Sequence, residues 1–385
     1  MSDNVIILGA GASSRAGIPL MAGFIEKMWE FSVRKQVNGE PMLPDDIDTF
    51  QKAVEIKNER DSYHGRALFD DRNLEDILSI LSFNEINLST RSKGKLFLFT
   101  KAISRTIELT CQVKHDGENK IQNLGLSYWP YRNFWMNLFI FCTRHHKEVP
   151  TIISLNYDLV LERGLFHLLI GTNLKYIVEL PIQGVEIDYH YDPVGNLQYV
   201  IKNATYMTES GEEKCTILER GATDNPLRIE ILKLHASLNF PRTKTKEPIS
   251  LVHAVDAPFI LPPIINKMSS AKSITKMWST GLQRLRTAKN VIIVGYSLPR
   301  TDIYMQYFLK TALGPNLNLN RIYVFDPVLF DDDPKSKEMM DRYANCFSPQ
   351  LQDTIVFRPV IHSTDYMKGT FKHFVDDLGY YDILF

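Results

Sequence analysis

The stretch Val5–Pro19 reads "VIILGAGASSRAGIP", an apolar run that leads directly into a glycine-containing turn. A buried strand followed by Gly9, Gly11 and a helix is the arrangement in which backbone N–H groups and a positive helix end approach a phosphate. A G-x-G pair also occurs in plain tight turns, so the pair alone is a weak indicator. The strand–turn–helix context favours a nucleotide pyrophosphate as the ligand.

The complete dinucleotide fingerprint of hydride-transferring enzymes is missing. Its third glycine falls on Ser14, and about 20 residues further on a strand should end in a ribose-binding acid. The chain instead reads "KMWEFSVRK", which is a continuing helix. A nicotinamide-dependent dehydrogenase is therefore the weaker interpretation.

Six short β-branched runs are separated by helix-like or irregular segments. Continuous apolar runs of this length are typical of strands buried on both faces, as in a parallel sheet covered by helices. The runs are Val5–Leu8, Thr151–Leu155, Arg228–Leu234, Val291–Gly295, Arg321–Phe325 and Thr354–Val360. We predict an α/β fold with a Rossmann-like, doubly wound, mostly parallel sheet.

Two long intervals predict insertions within one domain that spans residues 1–385. Residues 20–150 contain three helix candidates, "LEDILSILSF" capped by Asn73, "KGKLFLFTKAISRTIELTCQVK" and "YRNFWMNLFIFCTRHH". Residues 174–223 alternate aromatic and polar residues around "DPVGN" and "ESGEEK", which indicates a smaller β-hairpin insertion. A last helix is predicted to end at Gly379.

Composition excludes several classes of partner. The 44 basic and 45 acidic residues give a net charge of -1, so the chain has no overall excess of positive charge that would attract nucleic acid or an anionic membrane. Only "MSDN" precedes the first strand, and the most apolar run, Phe134–Cys142, is far too short to span a membrane. We expect a cytoplasmic protein.

The four cysteines do not form a metal-binding pattern. Cys111, Cys142, Cys215 and Cys346 are scattered, and no two of them make a C-x-x-C pair. This spacing predicts buried free thiols and argues against a structural zinc module. No metal is expected.

The segment "SLNYDLVLE" places Asn156 and Asp158 just past a buried strand. In extended backbone, residues two apart point to the same side. A carboxamide and a carboxylate facing one way would bind ribose hydroxyls, a nicotinamide amide or a water. The alternative is that both residues cap the next helix, and this motif alone supports the two interpretations equally.

His235 follows the apolar run "ILKL" directly. A lone histidine at a strand end is more often structural than catalytic. This one falls at the carboxyl edge of the predicted sheet, together with Gly9, Gly11, Asn156 and Asp158, and that convergence favours catalysis.

A second half of a nucleotide site is indicated by "NVIIVGYSLPRTD" and "RIYVFDP". Gly295 and Ser297 form another small-residue turn after a strand. Asp326 follows the next strand directly, the position from which a carboxylate accepts both ribose hydroxyls. The alternatives are a simple Asp326-Pro327 turn and a helix cap at Asp302; we favour the cap for Asp302 and a ligand for Asp326.

In this order, the motifs resemble the sirtuin-like superfamily, in particular the bacterial branch of NAD-consuming antiphage-defence proteins. "GAGASSRAGIP" is similar to the first phosphate loop of that family, and "NYD" to its nicotinamide and ribose motif. "KLHASLNF" resembles the catalytic histidine segment, and "VGYSLPRTD" the second nucleotide loop. The motifs extend from residue 5 to about residue 326, and they are specific as a set.

The chain also departs from the protein-deacylating members. It lacks their four-cysteine zinc module, Leu155 replaces their Gln, and Ala236 replaces the Gly after their catalytic histidine. Their Asp-Phe-Arg after Gly-Ile-Pro is replaced by "LMAGF" (Leu20–Phe24). These differences argue against acyl-lysine as acceptor and leave the NAD-cleaving half intact.

The resemblance implies an NAD+ glycohydrolase, with NAD+ as substrate and no metal. Asn156 would position the ribose and the attacking water, Asp158 would hold the nicotinamide carboxamide, and His235 would be the general base. The residues implied in holding the rest of NAD+ are Gly9, Gly11, Ala12, Ser13 and Pro19 of the first loop for the pyrophosphate, and Gly295, Ser297 and Asp326 for the adenosine half. A non-catalytic NAD or ADP-ribose sensor is the alternative, followed by a protein deacylase and a dehydrogenase.

Control of such an activity is a further expectation. Only one helix and "YYDILF" follow the last predicted strand, which leaves no room for a fused sensor. The resemblance then implies a homo-oligomer that works with a separately encoded, ring-forming translocase ATPase and depletes NAD+ in antiviral defence. The aromatic segment Tyr128–Phe141 is either core, which we favour, or an oligomer interface.

Overall fold

The fold is built on one large sheet. The computed structural model of the chain describes residues 2–61, 73–86, 94–114, 128–171, 182–208, 211–245, 248–261, 272–331, 333–359 and 368–380. The strands are β1 (Asn4–Leu8), β2 (Gln36–Val37), β3 (Glu40–Pro41), β4 (Thr151–Ser154), β5 (Gly184–Asp188), β6 (Asn196–Thr208), β7 (Gly211–Arg220), β8 (Leu227–Lys233), β9 (Ala236–Pro241), β10 (Pro258–Ile260), β11 (Asn290–Val294), β12 (Arg321–Phe325) and β13 (Ile355–Val356).

The central sheet has nine strands in the order β13-β12-β11-β1-β4-β8-β5-β6-β7. All pairings from β13 to β5 are parallel, and those of β5 with β6 and of β6 with β7 are antiparallel. From β1 the chain continues to β4 on one side, whereas from β11 it continues to β12 on the other. The carboxyl ends of β1 and β11 are therefore a topological switch point, where open α/β sheets bind ligands.

Each of the six predicted apolar runs overlaps a strand of this sheet; in chain order the strands are β1, β4, β8, β11, β12 and β13. The predicted α/β, Rossmann-like, mostly parallel fold is thereby confirmed. All residues of β1 and β11 are buried, as expected for strands covered on both faces. The last strand is shorter than predicted, covering only Ile355–Val356, and Val360 lies outside the described residues.

Helices flank the sheet. They are α1 (Ala10–Ser13), α2 (Phe24–Arg34), α3 (Pro44–Asp61), α4 (Leu74–Ile86), α5 (Lys95–Thr110), α6 (Trp129–Arg144), α7 (Val160–Gly171), α8 (Thr275–Thr287), α9 (Ile303–Leu313), α10 (Pro334–Ala344), α11 (Pro349–Gln352) and α12 (Phe371–Tyr380). Helix α6 packs against both α7 and α12, and α8 packs against α9.

The three helices predicted between the first two strands are α4, α5 and α6. The Asn73 cap is confirmed, because its Oδ1 accepts a hydrogen bond from the Glu75 N–H at 2.9 Å. Helix α3 was not predicted. Its buried residues Phe50, Ala53 and Ile56 form a narrow apolar stripe in an otherwise largely polar segment, which is a weak helix pattern.

Helices α2 to α5 bury their own hydrophobic cluster, which includes Phe24, Phe31, Phe50, Leu78 and Phe99. Helix α6 belongs instead to the main core, where Tyr131, Phe134 and Trp135 are almost fully buried. The core interpretation of Tyr128–Phe141 is therefore confirmed. Within that segment Trp129 is the large hydrophobic side chain that is exposed.

The β-hairpins predicted near residues 174–223 are β5, β6 and β7. The segment "DPVGN" makes the turn between β5 and β6, with Gly195 at φ 65°. Because β5 also pairs in parallel with β8, the hairpins continue the main sheet. Residues 174–181 and 209–210 of the predicted insertion lie outside the described residues.

The predicted last helix corresponds to α12, which ends one residue beyond Gly379. Residues 363–367 of the predicted segment lie outside the described part of the chain. Among the helices that the structure describes, none combines the length and the apolar character needed to cross a membrane.

Cys111, Cys142 and Cys346 are buried free thiols, as predicted, and the side chain of Cys215 lies outside the described residues. Burial raises the pKa of the Cys111 thiol to about 11. In the ranges that the structure describes, no group of three His, Cys, Asp or Glu side chains is placed to hold a metal ion.

Candidate functional site

A cleft of about 1470 Å3 opens at the carboxyl edge of the central sheet, over the ends of β1 and β11. Its other wall comes from α2, α3, the start of α4 and α5, and it is mainly apolar, with Glu26, Lys57 and Glu75 among its charged residues. The predicted site residues that line it are Gly11, Ser13, Pro19, Asn156, Asp158, His235, Gly295, Ser297 and Asp326. Gly9 and Ala12 are buried in the same first turn but are not part of the lining. The structure thus brings the predicted residues together around one space.

The two glycine turns pack directly against each other. The Gly11 N–H donates to the Gly295 carbonyl at 2.9 Å. A Cβ at Gly9 would lie 2.5 Å from the Gly295 oxygen, and one at Gly295, where φ is 63°, would lie 2.3 Å from the Ala12 nitrogen. These glycines are therefore required by the contact between the turns, independently of any ligand.

Several N–H groups of the first turn that were expected to face a pyrophosphate donate to protein carbonyls. The Gly9 N–H donates to the Val294 carbonyl at 2.9 Å, and the Ala12 N–H donates to the Gly9 carbonyl at 2.9 Å. With the Gly11 N–H also engaged, three main-chain donors of the turn bind protein oxygens. The expected cradle is therefore revised toward Ala10, which is exposed and lines the cleft, and the Ser13 hydroxyl.

Asn156 fastens the loop after β4 to the first glycine turn. Its Nδ2 donates to the Gly9 carbonyl at 2.8 Å and to Ser13 Oγ at 2.9 Å. Both amide hydrogens are thereby used within the protein. The carboxamide oxygen Oδ1 is the atom with which Asn156 can contact a hydroxyl or a water in the cleft.

Asp158 lines the cleft and also caps α7. Its Oδ1 accepts a hydrogen bond from the Val160 N–H at 3.0 Å, as the capping alternative predicts. Its second oxygen, Oδ2, makes no hydrogen bond to the residues that the structure describes. A capping role and a ligand role are therefore compatible in this carboxylate.

The His235 ring is held in one tautomer. Its Nδ1 lies 3.1 Å from the Leu155 carbonyl oxygen, and since a carbonyl only accepts, Nδ1 carries the proton. The neutral ring then has its lone pair on Nε2, the form a general base needs. The next residue, Ala236, has φ 67°, a left-handed conformation that is uncommon outside glycine.

The two aspartates of the second half-site both accept a main-chain hydrogen bond from the segment that follows them, so the turn alternative for Asp326 is observed as well as the Asp302 cap. Asp302 caps α9 through Met305 and accepts a hydrogen bond from the Tyr296 hydroxyl at 2.8 Å, so the predicted cap is confirmed. Asp326 lines the cleft, and its Oδ1 accepts from the Val328 N–H at 3.0 Å. Burial raises the pKa of the Asp326 carboxyl above its usual range.

Sequence reasoning missed two residues that support the site. The Tyr131 hydroxyl on α6 donates to the Ala12 carbonyl at 2.9 Å and braces the first turn. Lys233 lies two residues before His235 and donates to the Asp158 carbonyl. No sequence pattern links Tyr131 to Ala12, because 119 residues separate them. Lys233 stands within the quoted "KLHASLNF" but reads as an ordinary strand residue.

The chain matches no established family model, and no curated protein gives a significant match to it. The functional interpretation therefore depends on the geometry of the cleft and on the motifs that line it.

Proposed function

We propose that this protein is an NAD+ glycohydrolase that releases nicotinamide and ADP-ribose. The observation that carries the proposal is the convergence of two glycine turns, Asn156, Asp158 and His235 on one cleft at the switch point of a Rossmann-like sheet. Ligands of such sheets bind in this crevice, and an imidazole at that position can serve as a general base.

The cleft has the size and polarity that a dinucleotide needs. Pockets for drug-sized ligands measure ~300–1,000 Å3, and this one is larger, at about 1470 Å3. In the first turn, the Ala10 N–H and the Ser13 hydroxyl would donate hydrogen bonds to the pyrophosphate. Asp326, directly after β12, would accept hydrogen bonds from the ribose hydroxyls of the adenosine half.

The reaction needs little from the protein beyond positioning and one base. The bond between nicotinamide and ribose C1′ breaks, and its electron pair leaves with nicotinamide, which becomes neutral. The sugar passes through an oxocarbenium-like transition state, as in glycoside hydrolysis. A water then adds to C1′ and gives its proton to Nε2 of His235.

The two polar residues after β4 complete this arrangement. Asn156 Oδ1 would accept a hydrogen bond from the attacking water or a ribose hydroxyl, since its Nδ2 is fixed on the first turn. Asp158 Oδ2 would accept one from the carboxamide N–H of nicotinamide. Leu155 and Ala236 stand where the deacylases carry Gln and Gly, which favours water over an acyl-lysine as acceptor.

The experiment incubates the purified protein with NAD+ and measures free nicotinamide and ADP-ribose, with an acetyl-lysine peptide in a parallel arm. We expect equimolar nicotinamide and ADP-ribose and no deacetylation. Binding of NAD+ without turnover would favour the sensor alternative, and deacetylation at a comparable rate would overturn the hydrolase assignment.

We propose further that the enzyme is a homo-oligomer that depletes NAD+ in antiviral defence together with a ring-forming translocase ATPase. This part depends on the resemblance of the motifs. Light scattering of the purified protein, combined with the NAD+ assay with and without such an ATPase, tests it. A monomer that is fully active alone would count against both parts.

A further inference from the structure

A fully buried ion pair lies directly beneath the cleft. Lys233 is the last residue of β8 and has a side-chain exposure of 1%, and Glu162 in the first turn of α7 has 0%. Lys233 Nζ lies 3.2 Å from Glu162 Oε1. Nothing in the proposed reaction uses either charge.

The ammonium group has a second partner that belongs to the site. Lys233 Nζ donates to the main-chain carbonyl of Asp158 at 2.5 Å. Glu162 is also approached by the Tyr189 hydroxyl, whose oxygen lies 3.4 Å from Oε1. One cation therefore ties three pieces together, namely the end of β8, the loop after β4 and the start of α7.

The energetics argue against stability as the main purpose of this pair. Two charges taken fully out of water lose hydration, and a buried pair is often no more stabilising than apolar residues of the same shape. Burial raises the pKa of the Glu162 carboxyl, because the charged form loses its hydration. In contrast, the ammonium fixes the Asp158 carbonyl in a way that an apolar side chain would not.

We propose that Lys233 is a positioning residue for NAD+ cleavage, which holds the Asn156–Asp158 loop in register with His235. The inference builds on the proposed function. The lysine acts through the Asp158 main chain, two residues from Asn156, while its own strand leads into His235. A displacement of about 1 Å between catalytic groups costs on the order of 100-fold in rate.

The test replaces both charges, in Lys233→Met with Glu162→Gln, so that no unpaired charge stays buried. The matched control is Glu230→Gln with Arg284→Met. It removes an ion pair between Glu230, on the same strand as Lys233, and Arg284 on α8, away from the cleft. We expect kcat for nicotinamide release to fall at least about 10-fold in the first variant, with KM for NAD+ within about 3-fold. The control is expected to keep both constants within about 2-fold of the wild-type values.

Hydrogen exchange gives a second readout that does not need activity. In the Lys233 variant, the amides of Val160 and Leu238, which bind Asp158 Oδ1 and the Tyr157 carbonyl, should exchange faster, whereas β1 and β11 should not change. An unchanged kcat with unchanged exchange, or an equal loss of kcat in the control, would overturn the inference. If the wild-type protein does not cleave NAD+, the proposed function fails, and the exchange at these two amides alone decides whether Lys233 positions the loop.

Discussion

Polar side chains occur at both edges of the central strands, and the two edges use them differently. At the amino edge, Asn290 Nδ2 donates to Asn4 Oδ1 at 3.0 Å, and Lys289 pairs with Asp3 at 2.8 Å. At the level of the first residue of β4, Glu230 accepts hydrogen bonds from Arg284. At the carboxyl edge, the polar residues line a cleft.

The difference follows from the connections. At the carboxyl ends of β1 and β11 the chain leaves in opposite directions, so a crevice remains between the two connections. At the amino edge the polar groups of neighbouring strands satisfy one another across the sheet. We infer that the amino edge contributes to stability and the carboxyl edge to chemistry, and the following variants test that division.

The largest effect is expected for His235→Ala. Loss of a general base costs about 100- to 10,000-fold, so nicotinamide release should fall by about 1000-fold while the melting temperature changes little. The matched control is His190→Ala, because His190 Nε2 lies 2.8 Å from Glu230 at the other edge. A His235 variant with near-wild-type turnover would remove this residue from the mechanism.

A smaller loss is expected for Asn156→Ala, compared with Asn290→Ala. The first removes both the contact with the water or ribose and the fastening of the first turn, and we expect about a 100-fold lower kcat. The second removes the buried hydrogen bond to Asn4 and should cost about 1 kcal/mol of unfolding free energy with unchanged turnover. Steady-state kinetics and urea unfolding measure both effects. Similar changes in kcat and in unfolding free energy for the two variants would contradict the assignment of chemistry to the carboxyl edge and stability to the amino edge.

Gly295→Ala tests the contact between the two turns. Its Cβ would meet the Ala12 backbone at a left-handed position, so we expect a loss of about 3 kcal/mol in unfolding free energy together with weaker NAD+ binding. Gly39 also has a positive φ, 87°, but nothing lies within 4 Å of its Cβ position. Gly39→Ala should therefore cost only about 1 kcal/mol, and equal losses would show that the close approach does not matter.

The last prediction concerns pH at the amino edge. Burial alone would raise the pKa of Glu230, but hydrogen bonds from Arg284, His190 and Thr151 outweigh it and lower the pKa to about 2. A carboxyl with a lowered pKa in the folded state stabilises fully above its unfolded pKa of ~4.3 and loses this contribution as the pH falls toward 2. Arg284→Met should cost about 2 kcal/mol at pH 7.

The pH dependence distinguishes this cost from a packing loss. The difference in unfolding free energy between wild type and Arg284→Met should be constant above about pH 5 and shrink as the pH falls below 4. Urea unfolding at pH 7, 5 and 3.5 measures it. A difference that does not change with pH would assign the loss to packing of the arginine stem.

Local pattern was sufficient for most of the framework. The six sheet strands, the Asn73 cap, the hairpins around "DPVGN" and the Asp302 cap were predictable because each depends on a few neighbouring residues. Helix α3 was missed because its apolar stripe is narrow. The sequence also could not predict that α6 packs in the main core, because an apolar helix has the same sequence pattern whichever hydrophobic cluster it joins.

For the candidate site, the sequence shows glycine, polar and ionisable residues directly after predicted strands, and a parallel sheet brings the ends of its strands together at one edge. Most of the predicted site residues therefore line the cleft, whereas Gly9 and Ala12 are buried in the first turn. Only the tertiary structure decided how they are used. The Gly9 and Gly11 N–H groups donate to the carbonyls of Val294 and Gly295, and the Ala12 N–H donates to the Gly9 carbonyl within the first turn. Asn156 directs its amide hydrogens to the first turn, and Lys233 donates to the Asp158 carbonyl. The physical reason is that a hydrogen-bond partner is set by distance in space: Gly9 lies 147 residues from Asn156 along the chain, and Asp158 lies 75 residues from Lys233.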